Sequence, residues 1–116
     1  MILAGPDPAM NPHLISDDAG VWRFATDGRR FGIAWPEIYR VIGYALDGVT
    51  ELHFVAELES DAGLVLEFHA DWPGFQSVVA SISDQLSGLS PQWFATVEAM
   101  VPTDPPVVLW HRKASQ

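Results

Sequence analysis

An imidazole and a carboxylate stand two residues apart in the segment LEFHADWPGFQSVV, residues 66–79. His69 and Asp71 could form a general acid–base pair or supply ligands to a metal ion. A nucleophile is harder to find, because the chain has no cysteine and no serine in a GxSxG turn. The alternating apolar run ends near His69 and a helical one follows, so Asp71 lies where a side chain caps the first turn of a helix. We therefore predict that Asp71 is a helix N-cap and that no residue is catalytic.

A metal site is the sharper chemical alternative, and it depends on the register of two strands. If residues 61–63 form the loop between them, Glu57 lies opposite Glu67 and Val55 opposite His69. One face then carries four nitrogen and oxygen ligands of the kind that zinc accepts: His53, Glu57, Glu67 and His69. The same side chains also suit the solvated face of an antiparallel sheet, although opposed glutamates need water or a cation between them. The solvated face is the preferred interpretation, so the sequence predicts no metal and no other cofactor.

Three turn signals divide the first half of the chain into strands. Asp27-Gly28 and Asp47-Gly48 each separate two runs rich in β-branched and aromatic residues, and residues 61–63 provide a third turn. These runs predict an antiparallel meander of five strands. Alternation predicts an inward set of Leu52, Phe54, Ala56, Leu58, Leu64, Leu66, Phe68 and Ala70, and an outward set of His53, Glu57, Glu59, Glu67 and His69.

The strand from Tyr39 to Leu46 is apolar on both faces. Ile42, Tyr44 and Leu46 emerge on the side opposite Val41. A row of this kind is either covered by another segment or used as a contact surface.

The second half of the chain changes to helical periodicity. Apolar residues at helical spacing predict a helix over residues 73–86 that ends before Gly88, and they are Phe75, Val78, Val79, Ile82 and Leu86. Ser90 and Pro91 predict the N-cap and first residue of a shorter helix. VVLWHR, residues 107–112, predicts a closing strand. The expected fold class is therefore α+β, with a five-strand meander, two helices and a C-terminal strand.

The sequence predicts a single domain, with an arm before it and a short tail after it. Residues 1–19 contain three prolines without periodicity and predict a flexible N-terminal arm, in which Met10 is an alternative start to Met1. Residues 20–113 form the predicted α+β domain, and residues 114–116 a tail. The first residues lack the charged region of a signal peptide, and no apolar run reaches membrane-spanning length, so the sequence predicts a cytoplasmic location without membrane contact.

Charge is distributed unevenly along the sequence. Fifteen acidic residues face six basic ones, and no lysine or arginine occurs between Arg40 and Arg112. Phosphate binding depends on clustered basic side chains, so this pattern argues against nucleic acid as a partner. The same field attracts a basic protein and speeds its encounter.

The series WPEIYRVIGYALDG, HADWPGF, GLSPQWF and DPPVVLWHRK resembles a set of small uncharacterised bacterial proteins, over nearly everything after residue 20. A strand meander followed by a helix also resembles the pleckstrin-homology-like folds of short bacterial proteins. That resemblance implies a scaffold or adaptor. It does not imply phosphoinositide binding, because this chain lacks the basic loop of the lipid-binding members. Size and acidity are also similar to those of immunity proteins of secreted bacterial toxins.

Three functions follow from these patterns. The first is a non-enzymatic, immunity-type inhibitor that covers a basic toxin or effector. The expected partner-binding residues are Glu57, Glu59, Asp61, Glu67, Ile42 and Tyr44. The second is a scaffold, adaptor or homodimer that uses the apolar row from Ile42 to Leu46. The third is a metal-dependent enzyme that uses His53, Glu57, Glu67 and His69.

Overall fold

The computed structural model describes residues 13–25, 27–48 and 51–112. The predicted α+β class is confirmed, because these residues form antiparallel sheets and two helices. The first sheet has the order β1-β2-β3 and consists of β1 (His13–Ser16), β2 (Gly20–Phe24) and β3 (Arg30–Ala34). The turn predicted at Asp27-Gly28 joins β2 and β3. Gly28 has a φ of 88°, which suits glycine, and the Ala25 N–H donates to the Arg29 carbonyl at 2.7 Å.

The position of β1 contradicts one prediction. It lies inside the segment expected to be an irregular arm, so that expectation is wrong for His13–Ser16. Besides pairing with β2, β1 receives support from the chain before the first helix, because the Leu14 N–H donates to the Pro73 carbonyl at 2.9 Å. Leu14 is buried in the core. The rest of the predicted arm before His13, and the predicted tail 114–116, lie outside the described residues.

The second sheet has the order β6-β5-β4-β7. Its strands are β4 (Ile38–Asp47), β5 (Leu52–Ser60), β6 (Val65–His69) and β7 (Val107–His111). The hairpins predicted about Asp47-Gly48 and residues 61–63 join β4 to β5 and β5 to β6. The predicted β5–β6 register is also confirmed, with Val55 opposite His69 and Glu57 opposite Glu67.

The predicted single meander is wrong, because the strands divide into two sheets, and seven are present among the described residues. A short 3₁₀ helix, Trp35–Glu37, separates β3 from β4. Pro36 has no N–H with which to continue a strand ladder. The Trp35 ring N–H donates to the Asp17 carbonyl at 2.8 Å and fixes this corner against the loop after β1.

The two helices begin later than predicted. α1 (Phe75–Gln85) has Gly74 as its N-cap residue, with a φ of 88° and no capping side chain, so the predicted N-cap role of Asp71 is wrong. α2 (Trp93–Glu98) follows Gln92, whose N–H donates to the Ser90 hydroxyl oxygen at 3.1 Å. Ser90 therefore organises the turn before α2 rather than its first helical turn.

One hydrophobic cluster joins both sheets and both helices. It includes Leu14, Val21 and Ile33 from the first sheet, Val41, Leu58 and Phe68 from the second, and Phe75, Ile82, Phe94 and Val97 from the helices. α2 packs directly on β4, where a Cβ added to Gly43 would stand 2.3 Å from a methyl carbon of Val97. Leu52 and Leu64, expected to point inward, are 41% and 49% exposed; Leu52 is the first residue of β5, and Leu64 lies in the turn just before β6.

Candidate functional site

We call the side of the second sheet that is turned away from the helices the outer face. Its side chains come from three strands whose pairings align them in rows. Ile42 lies opposite Glu57 and Glu57 opposite Glu67, while Leu46 lies opposite His53. The predicted metal candidates and, except for Asp61 in the β5–β6 turn, the predicted partner-binding residues therefore share one surface.

Glu57 and Glu67 are neighbours, and each has its own hydrogen-bond partner. The Tyr44 hydroxyl donates to Oε2 of Glu57 at 2.6 Å, and Nε2 of His69 lies 2.6 Å from Oε2 of Glu67. Burial of Tyr44, reinforced by its bond to Glu57, raises the pKa of the Tyr44 hydroxyl well above its ordinary value of 10.0. Each of the two opposed carboxylates therefore has a polar partner within the protein.

Val55 occupies the middle of the outer face and is fully buried, although it lies outside the main core cluster. Its two cross-strand neighbours are Tyr44 and His69. The outer face is therefore a small packed layer of its own around Val55, and not the fully solvated surface that the sequence favoured.

Three ligand-bearing side chains converge at one end of this layer. One ring nitrogen of His53, one of His69 and one carboxylate oxygen of Asp71 lie within 4.8 Å of one another. Both histidines are half-buried and Asp71 is exposed. A cleft of about 190 Å³ beside them is lined by Glu51, Leu52, His53, Phe54, Ala70 and Asp71.

The turn after β6 positions this cluster. The Trp72 N–H donates to the His69 carbonyl at 3.1 Å, which folds the chain back and returns Asp71 towards the sheet. The Trp72 ring stacks on the His69 ring with centroids 4.6 Å apart and planes 9° apart. Arg23, from the first sheet, lies over the same Trp72 ring at 5.9 Å and donates to the Glu67 carbonyl at 3.3 Å. Both sheets therefore contribute to the surroundings of His69.

The predicted partner-binding acids differ in accessibility. Glu59 accepts two bonds from the Arg40 guanidinium at 2.9 and 2.7 Å, and its side chain is only 15% exposed. Glu67 is 42% exposed despite its bond to His69, and Asp61 is exposed in the β5–β6 turn. Glu67 and Asp61 are therefore the acids best placed to meet another molecule.

Apolar side chains accompany these acids on the outer face. Ile42 and Tyr44, predicted from β4, are half-buried. Leu46, Val65 and Val108 are 41%, 51% and 48% exposed. Val108 could not be placed from sequence, because its position depends on the pairing of β7 with β4, which brings it opposite Ile42.

The metal candidates predicted from sequence are only partly brought together. His53 and His69 are, with ring centroids 6.3 Å apart, but the clustered carboxylate is that of Asp71. Glu57 is bonded to Tyr44, and Glu67 contacts His69 from the side. Sequence reasoning considered Asp71 as a ligand but assigned it to a helix N-cap, because its position before a helix is typical of a cap. Pro73 and Gly74, which delay the helix, were the signal against that assignment.

No family model matches this sequence, and searches of curated proteins and of solved structures found no match. Among the described residues, no helix has the length and apolar character needed to cross a membrane.

Proposed function

We propose that this chain is a non-enzymatic protein-binding module of the immunity-inhibitor type, whose outer face contacts a basic toxin or effector in the cytoplasm. The observation that carries the proposal is the exposure of Glu67 on the outer face, where Leu46, Val65 and Val108 are also exposed, and of Asp61 in the adjoining β5–β6 turn. Protein interfaces combine an apolar centre with charged residues at the rim, and this surface offers both.

The acidic charge of the chain favours a partner with a basic surface. The sequence has no lysine or arginine between Arg40 and Arg112, and Arg40 on the outer face is paired with Glu59. A basic surface would therefore meet little repulsion. Complementary charge mainly accelerates association, and ions screen it beyond about 8 Å at physiological salt.

Binding kinetics test the proposal. Proteins that co-purify from the native host are identified, and association of the purified basic partner is measured at low salt with a chelator present. The double substitution Asp61→Lys with Glu67→Lys should slow association by roughly tenfold or more. The matched control is Asp84→Lys with Glu98→Lys, which makes the same change in net charge on exposed positions of the two helices. Equal slowing by both pairs, or a natural ligand that proves anionic, would contradict the proposal.

A scaffold or homodimer of pleckstrin-homology-like type is the second candidate. It is favoured by the exposure of Leu46 and Val108, 41% and 48%, on the outer face. Apolar self-association would persist at high salt, unlike charge-driven binding. Light scattering at rising protein concentration distinguishes the two: salt-insensitive dimers that Val108→Lys abolishes support the homodimer, and a salt-insensitive monomer excludes it.

A further inference from the structure

We infer that His53, His69 and Asp71 form a binding site for a divalent transition metal ion of the zinc type. The three side chains come from β5, from the end of β6 and from the turn that precedes α1, and their ligand atoms lie within 4.8 Å of one another. This inference does not rest on the proposed protein-binding function, because it concerns the chemistry of one side-chain cluster.

The His69 ring is held in an orientation that suits a metal ligand. Its Nε2 lies 2.6 Å from Oε2 of Glu67, and an ionised carboxylate can only accept a hydrogen bond. The contact with Glu67 therefore occupies Nε2 and leaves Nδ1 as the ring nitrogen that can face a metal. Stacking on Trp72, with planes 9° apart, restricts rotation of the ring. A carboxylate that orients a histidine from its far side is a recurrent feature of zinc sites.

The donor set selects the class of metal. Two imidazole nitrogens and one carboxylate oxygen match zinc and related divalent transition metals. Calcium and magnesium instead prefer sites made of oxygen ligands. Ligand atoms around a tetrahedral zinc stand ~3.3 Å apart, given bonds of ~2.0–2.1 Å. The side chains must therefore close by up to about 1.5 Å from the observed 4.8 Å. Asp71 is exposed and free to rotate towards the two histidines.

Metal at this position would join parts of the chain that are distant in sequence. It would connect β5, β6 and the turn leading into α1, so binding should raise the melting temperature of the folded chain. The adjoining cleft would supply water as the remaining ligand, because Glu51 and Asp71 give it a polar lining.

Calorimetric titration with zinc chloride tests the inference on the full chain, purified without a histidine tag and stripped with chelator. We expect one zinc per chain, a rise in melting temperature, and no competition from a large excess of magnesium. His53→Ala, His69→Ala and Asp71→Asn should each weaken zinc binding at least tenfold, and Glu67→Gln should weaken it about 10–100-fold. Asp71 is exposed, so Asp71→Asn remains informative even if a histidine variant fails to fold.

Two control variants distinguish this site from zinc binding elsewhere on the chain. His111→Ala removes an exposed histidine on β7, and Glu57→Gln removes the carboxylate that Tyr44 holds. Both should bind zinc like the unmodified chain. The inference is overturned if the unmodified chain binds no zinc, if binding is equal in His53→Ala, His69→Ala and Asp71→Asn, or if His111→Ala alone abolishes it.

Discussion

Tyr44 is partly buried and donates its hydroxyl hydrogen to Glu57, and both features affect how this residue responds to alkali. The pKa of Tyr44 is raised by burial and by the neighbouring carboxylate. The unfolded chain therefore releases this proton first, near its ordinary pKa of 10.0. The stabilising contribution is fully present below pH 10 and is lost as pH rises above that value.

We predict that the free energy of unfolding falls more steeply above pH 10 in the unmodified chain than in Tyr44→Phe. At neutral pH the substitution should cost about 1.5–3 kcal/mol, because a bond to a charged group is lost. Denaturant unfolding at pH 7 and above pH 10 measures both effects. Tyr39→Phe is the matched control, since Tyr39 is 41% exposed on the same strand; parallel pH profiles for the two variants would contradict the assignment.

The start of α1 is set by backbone geometry and not by a capping side chain. Gly74 has a φ of 88°, and a Cβ added there would stand 2.1 Å from the Leu14 carbonyl oxygen on β1. A larger residue would strain the backbone and force the helix and β1 apart.

We therefore predict that Gly74→Ala destabilises the chain by more than about 1 kcal/mol, since both strain and a steric clash oppose it. Asp71→Ala should change stability by no more than about 0.5 kcal/mol without metal, as for exposed positions that cap nothing. Thermal and denaturant unfolding compare the two variants under the same conditions. A larger loss from Asp71→Ala than from Gly74→Ala would restore the N-cap interpretation.

Strands and helices were predictable where residues close together in the sequence determine them. Asp27-Gly28, Asp47-Gly48 and Gly63 marked three hairpins, and the spacing of Phe75, Val78 and Ile82 marked α1. β1 was not predictable, because His13–Ser16 is short and has only Leu14 in the core. Its partners, β2 and Pro73, are supplied by tertiary structure.

The candidate site was half predictable for the same reason. Loop length fixes register, so the shared face of His53 and His69 followed from residues 61–63. Asp71 joins them through a turn closed by Trp72 after the strand has ended. Alternation carries no information beyond the end of a strand.

One core cluster links the two sheets. Phe75 is 2% exposed and contacts Phe68 on β6 and Phe94 on α2, with ring centroids 5.6 and 4.7 Å apart. A shared core of this kind should unfold as a single cooperative unit.

Phe75→Ala should therefore lower the free energy of unfolding by ~3–5 kcal/mol and leave a single transition. Circular dichroism and tryptophan fluorescence, followed through the same denaturant titration, should give coincident curves. Phe31→Ala serves as the control. Phe31 is 46% exposed on β3, so this substitution should lower the free energy of unfolding only slightly. Separate transitions in the unmodified chain would mean that the sheets unfold independently.

The division into two sheets depends on contacts between parts of the chain that are distant in sequence. Pro36 marks a break in the strand pattern, but a break alone does not say whether the next strand continues the same sheet. Pairing of β4 with β7, which lies far along the chain, completes the second sheet. Contacts over that sequence distance leave no local signal.

The pairing of β7 with β4 has a consequence for synthesis of the chain. β4 is flanked by β5 and β7, and Val107–His111 is the last strand of the sheet to leave the ribosome. Until it arrives, β4 presents the open backbone groups of Arg40–Gly43 within the apolar run YRVIGYAL. Such an edge is a template for pairing with other chains, so ribosomes stalled before residue 107 would release fragments prone to co-aggregate.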